Sequence, residues 1–335
     1  MQGHTDLSAY ERPRISRSIL DLATSVVPYL ALSALMYAIY DQVSVLVILA
    51  LGIPAAGFLL RTFIVFHDCG HGSCWASKRA NKWCGRFCAI LVWQPFANWR
   101  HDHAVHHGSA GDIDRRGTGD VPTLTVEEYY ERDWRGRLAY RLFRNPLVMF
   151  GIGPIYSLMI APRLTPLDKR RRLRNSVLLT NIALAGIITA ICLTLGWKQF
   201  LLIEGPAAFG AAFAGVLLFY VQHQFEDVYW ETGDRWSYTD AALRGSSYLK
   251  LPPVLQFFSG NIGLHHVHHL SAKVPNYNLQ AAHDENAVFH NVPVLTLRDC
   301  VRCTRLKLID QGSGRLVTFA EARAAMRAAP APVIG

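Results

Sequence analysis

Histidines are the residues in this chain best placed to do chemistry. There are fourteen of them, and most fall into three short boxes. The first is His67-Asp68-Cys69-Gly70-His71. The second is His103-Ala104-Val105-His106-His107, with His101 just ahead of it. The third is His265-His266-Val267-His268-His269. Imidazole is a common ligand for iron, copper, zinc and nickel. A helix places residues three and four apart on one face. His67 and His71 have the four-residue spacing, and both later boxes carry HxxHH. Each turn can therefore aim two or three nitrogens at one point. Eight such histidines are more than one ion can use. Eight or nine suit two ions with positions left open for a reacting molecule. His223 is solitary, but it ends an apolar run and counts as a ninth candidate.

Structural zinc takes four ligands and often thiolates, so an all-nitrogen set of this size points to redox iron. Asp68, Asp102, Glu226 and Asp227 lie beside the ligands and could hold the far ring nitrogens. Asn261, His101 and His266 are further candidates for such support. His4, His283 and His290 stand alone and read as ordinary surface or packing residues.

These boxes must be positioned by a chain of 335 residues that is 51% hydrophobic, with the apolar residues bunched. Runs near 22–40, 43–66, 177–195 and 200–221 approach the ~20 residues needed to cross a bilayer. The fold class is therefore an all-α integral membrane protein. It has two transmembrane helical hairpins under a helical cap formed by residues 67–175 and 222–320, all one domain over 1–335. The net charge of +9 fits Lys- and Arg-rich cytoplasmic loops, and no nucleic-acid module is present. Arg12, Arg14 and Arg17 precede the first run with no cleavage site after it, which reads as an arm leading into an uncleaved helix. Seven irregularly spaced cysteines argue against a disulfide framework and for a reducing compartment. Cys300 and Cys303 form a lone CxxC, which reads as structural.

If the boxes share one site, an even number of crossings separates each pair. Residues 177–221 supply two. The apolar stretch 88–97 is too short to cross and, with Trp75, Trp93 and Trp99 nearby, fits an interfacial helix. Residues 146–161 must lie in the interface or dip in and return. The segment 123–144 reads as helix, and 162–175, strongly basic, as a cytoplasmic loop. The end of the chain, from Glu321, reads as a helix followed by a frayed terminus.

With these residues in view, the chain resembles the membrane fatty acid desaturase family over about Thr62 to Leu279. The stretches Asp114-Arg115-Arg116-Gly117-Thr118-Gly119-Asp120, Gln222-His223-Gln224-Phe225-Glu226 and Val274-Pro275-Asn276-Tyr277-Asn278-Leu279 are similar to bacterial acyl-lipid desaturases. The resemblance implies four membrane helices and two irons held by His67, His71, His103, His106, His107, His265, His268 and His269. His223 sits where the family places an extra ligand. It also implies dioxygen, a fatty acyl lipid substrate, a separate electron donor of ferredoxin or cytochrome b5 type, and a bacterial inner membrane with the site facing the cytoplasm. No haem-attachment or iron–sulfur pattern occurs in the chain itself.

The chemistry explains the metal. An unactivated methylene offers no acidic proton and no leaving group, so side chains alone cannot oxidise it. Regioselectivity would then rest on how an apolar tunnel places the chain, with Trp75, Trp93, Trp99, Phe96 and Phe219 as candidate walls. Two other readings compete. A hydroxylase or ketolase of fatty acid, alkane or carotenoid shares such boxes. A membrane metal transporter or storage protein would need ligands at mid-membrane depth. Replacing His268 with Ala is expected to abolish lipid oxidation while leaving the protein in the membrane, and the same change at His283 to matter little. Full activity of the His268 variant in whole-cell lipid analysis would remove the ligand assignment.

Overall fold

The structure is a computed structural model that describes residues 6–164 and 169–328. His4, part of the basic loop and the end of the tail lie outside the described residues. Four of the described helices are long and apolar enough to span a membrane. They are α1 (Ile15–Ile39), α2 (Val45–His71), α7 (Arg171–Thr194) and α8 (Trp197–His223). Between α2 and α7 lie α3 (Lys78–Leu91), α4 (Phe96–Ser109), α5 (Val126–Glu131) and α6 (Trp134–Phe143). After α8 come α9 (Tyr238–Arg244), α10 (Pro253–Phe258), α11 (His265–Leu270), α12 (Leu279–Glu285), α13 (Leu297–Cys303) and α14 (Phe319–Ala328).

The spans match the apolar runs and extend past them. α2 continues through the first box to His71, and Gly72 ends it. Gly72 has φ +77°, and its N–H reaches the carbonyls of Asp68 and Cys69. Only glycine takes that left-handed cap without strain. α7 begins at Arg171, so the last part of the expected basic loop is helix. The segment 123–144 is not one helix. Thr125 caps α5 and Asp133 caps α6 through their side-chain oxygens, and two caps eight residues apart break the chain twice. Two short sheets, absent from the all-helical expectation, tie the cap together. Leu124–Thr125 pairs with Leu308–Asp310, which pairs with Arg315–Val317, and Tyr248–Leu249 pairs with Val294–Leu295.

The stretch 88–97 does not lie flat as an interfacial helix. α3 and α4 form a hairpin whose tip turns down among the spans. The Trp93 ring lies 6.4 Å from Phe200, near the end of α8 opposite His223. The backbone at Trp93 is left-handed, φ +54°. Its carbonyl accepts from Arg163, which also bonds Asn181. The Gln94 amide donates to the Leu158 carbonyl at 2.7 Å. Residues 146–163 behave likewise. They form irregular helical turns bent 56° from α6, and Met159 packs among the spans. At one end Arg144 bonds Gln224, next to His223; past the other, Lys169 bonds Asp102, next to His103. The segment therefore leaves the histidine side and returns to it, as parity requires.

α2 and α8 carry His67, His71 and His223, so their approach fixes the site. Small residues make it close: a Cβ on Gly210 would lie 2.8 Å from the Ala56 Cβ. Small-residue seams let membrane helices touch backbone to backbone. Replacing Gly210 with Leu is expected to push the two helices apart, at a cost on the order of 1–3 kcal/mol. Thermal unfolding in detergent should show a lower midpoint, and the purified protein should hold less metal. An unchanged midpoint would mean the seam tolerates the bulk.

Candidate metal centre

Nine histidines converge in two adjacent groups. His67, His71, His103, His107 and His268 form one, and His106, His223, His265 and His269 the other, with the facing ring atoms of each group within 4.8 Å of one another. The two HxxHH boxes divide between the groups in opposite senses. In α4 the four-apart pair, His103 and His107, serves the first group and His106 the second. In α11 the four-apart pair, His265 and His269, serves the second group and His268 the first. A helix turns 100° per residue, so positions i+3 and i+4 fall on either side of position i. One short helix can therefore feed two neighbouring points. Spacing alone leaves open which member of each pair shares a point; the packing of α4 against α2 and of α11 against α9 decides it. The groups meet where the His107 and His269 rings stack at 4.2 Å.

The nitrogens face each other at short range. Nε2 of His103 lies 3.0 Å from Nε2 of His67, and Nε2 of His268 lies 3.0 Å from Nε2 of His107. In the second group Nε2 of His223 lies 2.9 Å from that of His265 and 3.2 Å from that of His106. His223 donates its Nδ1–H to the Gly245 carbonyl at 3.1 Å, and Nδ1 of His106 faces the Asp120 carboxylate. With the proton of each ring held there, both Nε2 atoms present lone pairs to each other. His71 Nε2 is buried with no hydrogen-bond partner. Acceptors buried face to face are unfavourable unless a cation lies between them. The residues therefore fit a metal. Burial, then mutual repulsion among the rings, pushes the pKa values of His103, His107, His265, His268 and His269 well below the ordinary histidine value. Neutral imidazole is the form that binds metal. The groups sit at the ends of α2 and α8 rather than at mid-membrane depth, which disfavours a transport site.

The supporting residues differ in part from those expected. Asp68 does stand beside His67, 3.4 Å from Nδ1, and takes hydrogen bonds from the backbone and side-chain nitrogens of Asn276. Asp102 instead pairs with Lys169, and Glu226 and Asp227 pair with Arg302 and Arg315. Charged partners on the cap outbid the histidines for all three. His101 is exposed on the outer side of α4. His266 is buried but turns away, with Nε2 2.9 Å from Nδ1 of His283. Asn261 holds the Asn276 carbonyl and reaches no histidine. Two orienting groups were missed. Asp120 closes the Asp114–Asp120 stretch, whose sequence signal is its resemblance to acyl-lipid desaturases and not a spacing to any histidine. Gly119 before it has φ +76°, and a Cβ there would crowd the Asp102 carbonyl at 2.9 Å. The Gly245 carbonyl carries no side-chain signal at all. Of the aromatic candidates, Trp99 stacks on His103 at 4.4 Å and Phe219 lies 5.0 Å from His106. Phe96 and Trp75 pack with the cysteines behind α2.

Comparison with known proteins decides the family. The family model described as fatty acid desaturase matches residues 43–296. The chain belongs to the fatty acid desaturase family. It is 44% identical over 313 residues to a protein named fatty acid desaturase from Bacillus subtilis, covering 93% of this chain and 89% of that one. It is 29% identical over 236 residues to an sn-1 acyl-lipid omega-3 desaturase (ferredoxin) from Synechocystis sp., covering 66% and 62%. An sn-1 oleoyl-lipid 12-desaturase from the same organism is 28% identical over 234 residues, covering 67% and 64%. The family is iron-dependent, in keeping with an all-imidazole donor set.

Two outcomes follow for this desaturase. Replacing Asp120 with Asn should weaken metal holding by about 10–100-fold, read as iron retained after dialysis against a chelator, whereas Glu226→Gln should leave it unchanged. Equal retention would show that Asp120 does not orient His106. Second, the folded state disfavours protonation of His103, His107, His265, His268 and His269, and the unfolded chain protonates them near pH 6.5. Stability of the metal-free protein should thus be full above that value and fall as pH drops below it, by up to about 1.4 kcal/mol per pH unit for each histidine. Thermal unfolding between about pH 7.5 and 5.5 measures this, and a flat profile would contradict the burial.

Proposed function

We propose that the chain is an oxygen-dependent desaturase that introduces a double bond into the acyl chain of a membrane lipid. The observation that carries the reading is the pair of adjacent groups of convergent, buried imidazole nitrogens. In this reading each group holds one iron. His67, His71, His103, His107 and His268 are the ligands of one, and His106, His223, His265 and His269 those of the other. Bound iron would supply activation of dioxygen, strong enough to remove two hydrogen atoms from adjacent methylenes.

The chain's own residues do the rest. Asp120 and the Gly245 carbonyl keep the protons of His106 and His223 on Nδ1, so that Nε2 points inward. Trp99 and Phe219 close over the rings and keep water out. The acyl-lipid substrate class is supported by the names of the Synechocystis relatives, one of which also names ferredoxin. The reductant is a separate protein of ferredoxin or cytochrome b5 type. Arg14 and Arg17 at the start of α1, and Arg170, Arg171 and Arg172 at the start of α7, lie at the histidine ends of the spans. Basic residues there support a cytoplasmic face, and the bacterial sources of the Bacillus and Synechocystis relatives support a bacterial inner membrane.

The test is gas chromatography with mass spectrometry of fatty acids from a bacterial host expressing the chain or its His268→Ala variant. A new unsaturated species with the wild type alone is expected, and it locates the bond. A hydroxylated product would overturn the reading in favour of a hydroxylase.

A further inference from the structure

A groove of about 470 Å³ opens on the outer side of α1 and α2, at the histidine end of the membrane helices. Its polar wall includes Arg17, Arg61, Gln256, Tyr277 and Gln280, and its apolar wall includes Leu20 and Phe257. The charges are unequal. Asp21 is the one carboxylate in the lining, and it is already engaged by Arg61 and by the Asn276 amide at 2.6 Å. Arg17 lies over the Tyr277 ring at 5.7 Å; its charge acts on Asp21, but it closes no ion pair with a carboxylate among the described residues. Nε of Arg61 is buried with no hydrogen-bond partner. The terminal nitrogens of Arg61 are taken by Asp21 and the Phe257 carbonyl, so two guanidinium groups against one carboxylate leave a positive site whose exposed, unused N–H donors are those of Arg17.

The setting is amphipathic. α10, at the mouth, exposes Val254 and Phe257 at 65% and 42%. Leu20 and Ile19 on α1 are each 53% exposed. Such residues next to spans face lipid. A ligand seated here would therefore place an anionic group on arginine and apolar chains against the bilayer. Guanidinium recognises phosphate by paired, charge-assisted hydrogen bonds. The groove also communicates with the metal centre. Asp21 and Asn276 form part of its wall, Asn276 holds Asp68, and Asp68 faces His67. Arg61 precedes His67 by six residues, about 9 Å along α2.

We propose that this groove binds the phosphate of a membrane phospholipid, with Arg17 on the phosphate, Arg61 adding its positive charge behind it, and the acyl chains leaving past Leu20 and Phe257. The proposal narrows the acyl-lipid reading to phosphate-bearing lipids, and rests on that reading only for what becomes of the bound lipid.

The experiment is native mass spectrometry of the full-length protein in detergent, titrated with phosphatidylglycerol and with diacylglycerol of the same chains. The wild type should bind one phosphatidylglycerol about tenfold or more tightly than diacylglycerol. Arg17→Gln should lose that preference. Arg12→Gln, an exposed change outside the groove lining, should keep it. Arg17 is itself exposed, so its variant should fold, and a thermal scan checks this. Equal affinity for the two lipids, or equal preference in the wild type and Arg17→Gln, overturns the proposal. Binding is read without turnover, so these results stand whether or not the fatty acid profile supports desaturation.

Discussion

The structure depends on holding nine imidazole rings against one another in a buried space. Each ring alone is a moderate cost. Brought together with lone pairs inward, they would separate if the scaffold allowed it. The scaffold does not. His67, His71 and His223 sit at the ends of membrane helices that cannot shift without breaking a small-residue seam. His103, His106 and His107 ride on a hairpin anchored among the spans. The rings of the third box are clamped by α9 and by the strand around Tyr248, with Val267 fully buried beneath them. Strain of this kind is relieved by a cation, which is why a preformed donor set binds metal tightly and selectively.

Holding the groups on one side of a membrane constrains everything between the boxes. Each connecting segment must return to the side it left. α7 and α8 do so by crossing twice. The α3–α4 hairpin and residues 146–163 enter and come back, braced against each other by Arg163, Gln94 and Asn181. Their irregular backbone is tolerated because its polar groups are satisfied within the protein. Trp93, held left-handed at the tip, is where that bracing concentrates.

Buried polar groups far apart in sequence finish the cap. Arg144 is fully buried and donates to Pro122, Thr123, Tyr220, Gln224 and Leu306. It has no carboxylate partner among these. Lys307, whose pKa burial pushes down to about 8, donates to the Arg144 carbonyl. Removing either would leave several buried carbonyls unpaired, so this knot joins the C-terminal segment to the residue after His223. Asp21, Asn276 and Asp68 form a comparable chain on the opposite flank.

The sequence by itself determined the four spans, the nine histidines and their common side. These are local properties: apolar length against bilayer thickness, ring spacing against helical pitch, and parity of crossings. It could not assign His106 to one group and His107 to the other, because both spacings satisfy one helix face and only the partner helices break the tie. Nor could it choose among the acids. Asp102, Glu226 and Asp227 neighbour histidines in sequence yet are taken by Lys169, Arg302 and Arg315, whereas Asp120, fourteen residues from His106, is carried to it by a turn at Gly119. The Gly245 carbonyl was invisible, since every residue has one. The depth of the Trp93 tip was likewise hidden, because a ten-residue apolar run fits an interface or a re-entrant turn equally well. Hydrogen-bond partners are settled by competition in three dimensions, and only the tertiary structure brings the competitors together.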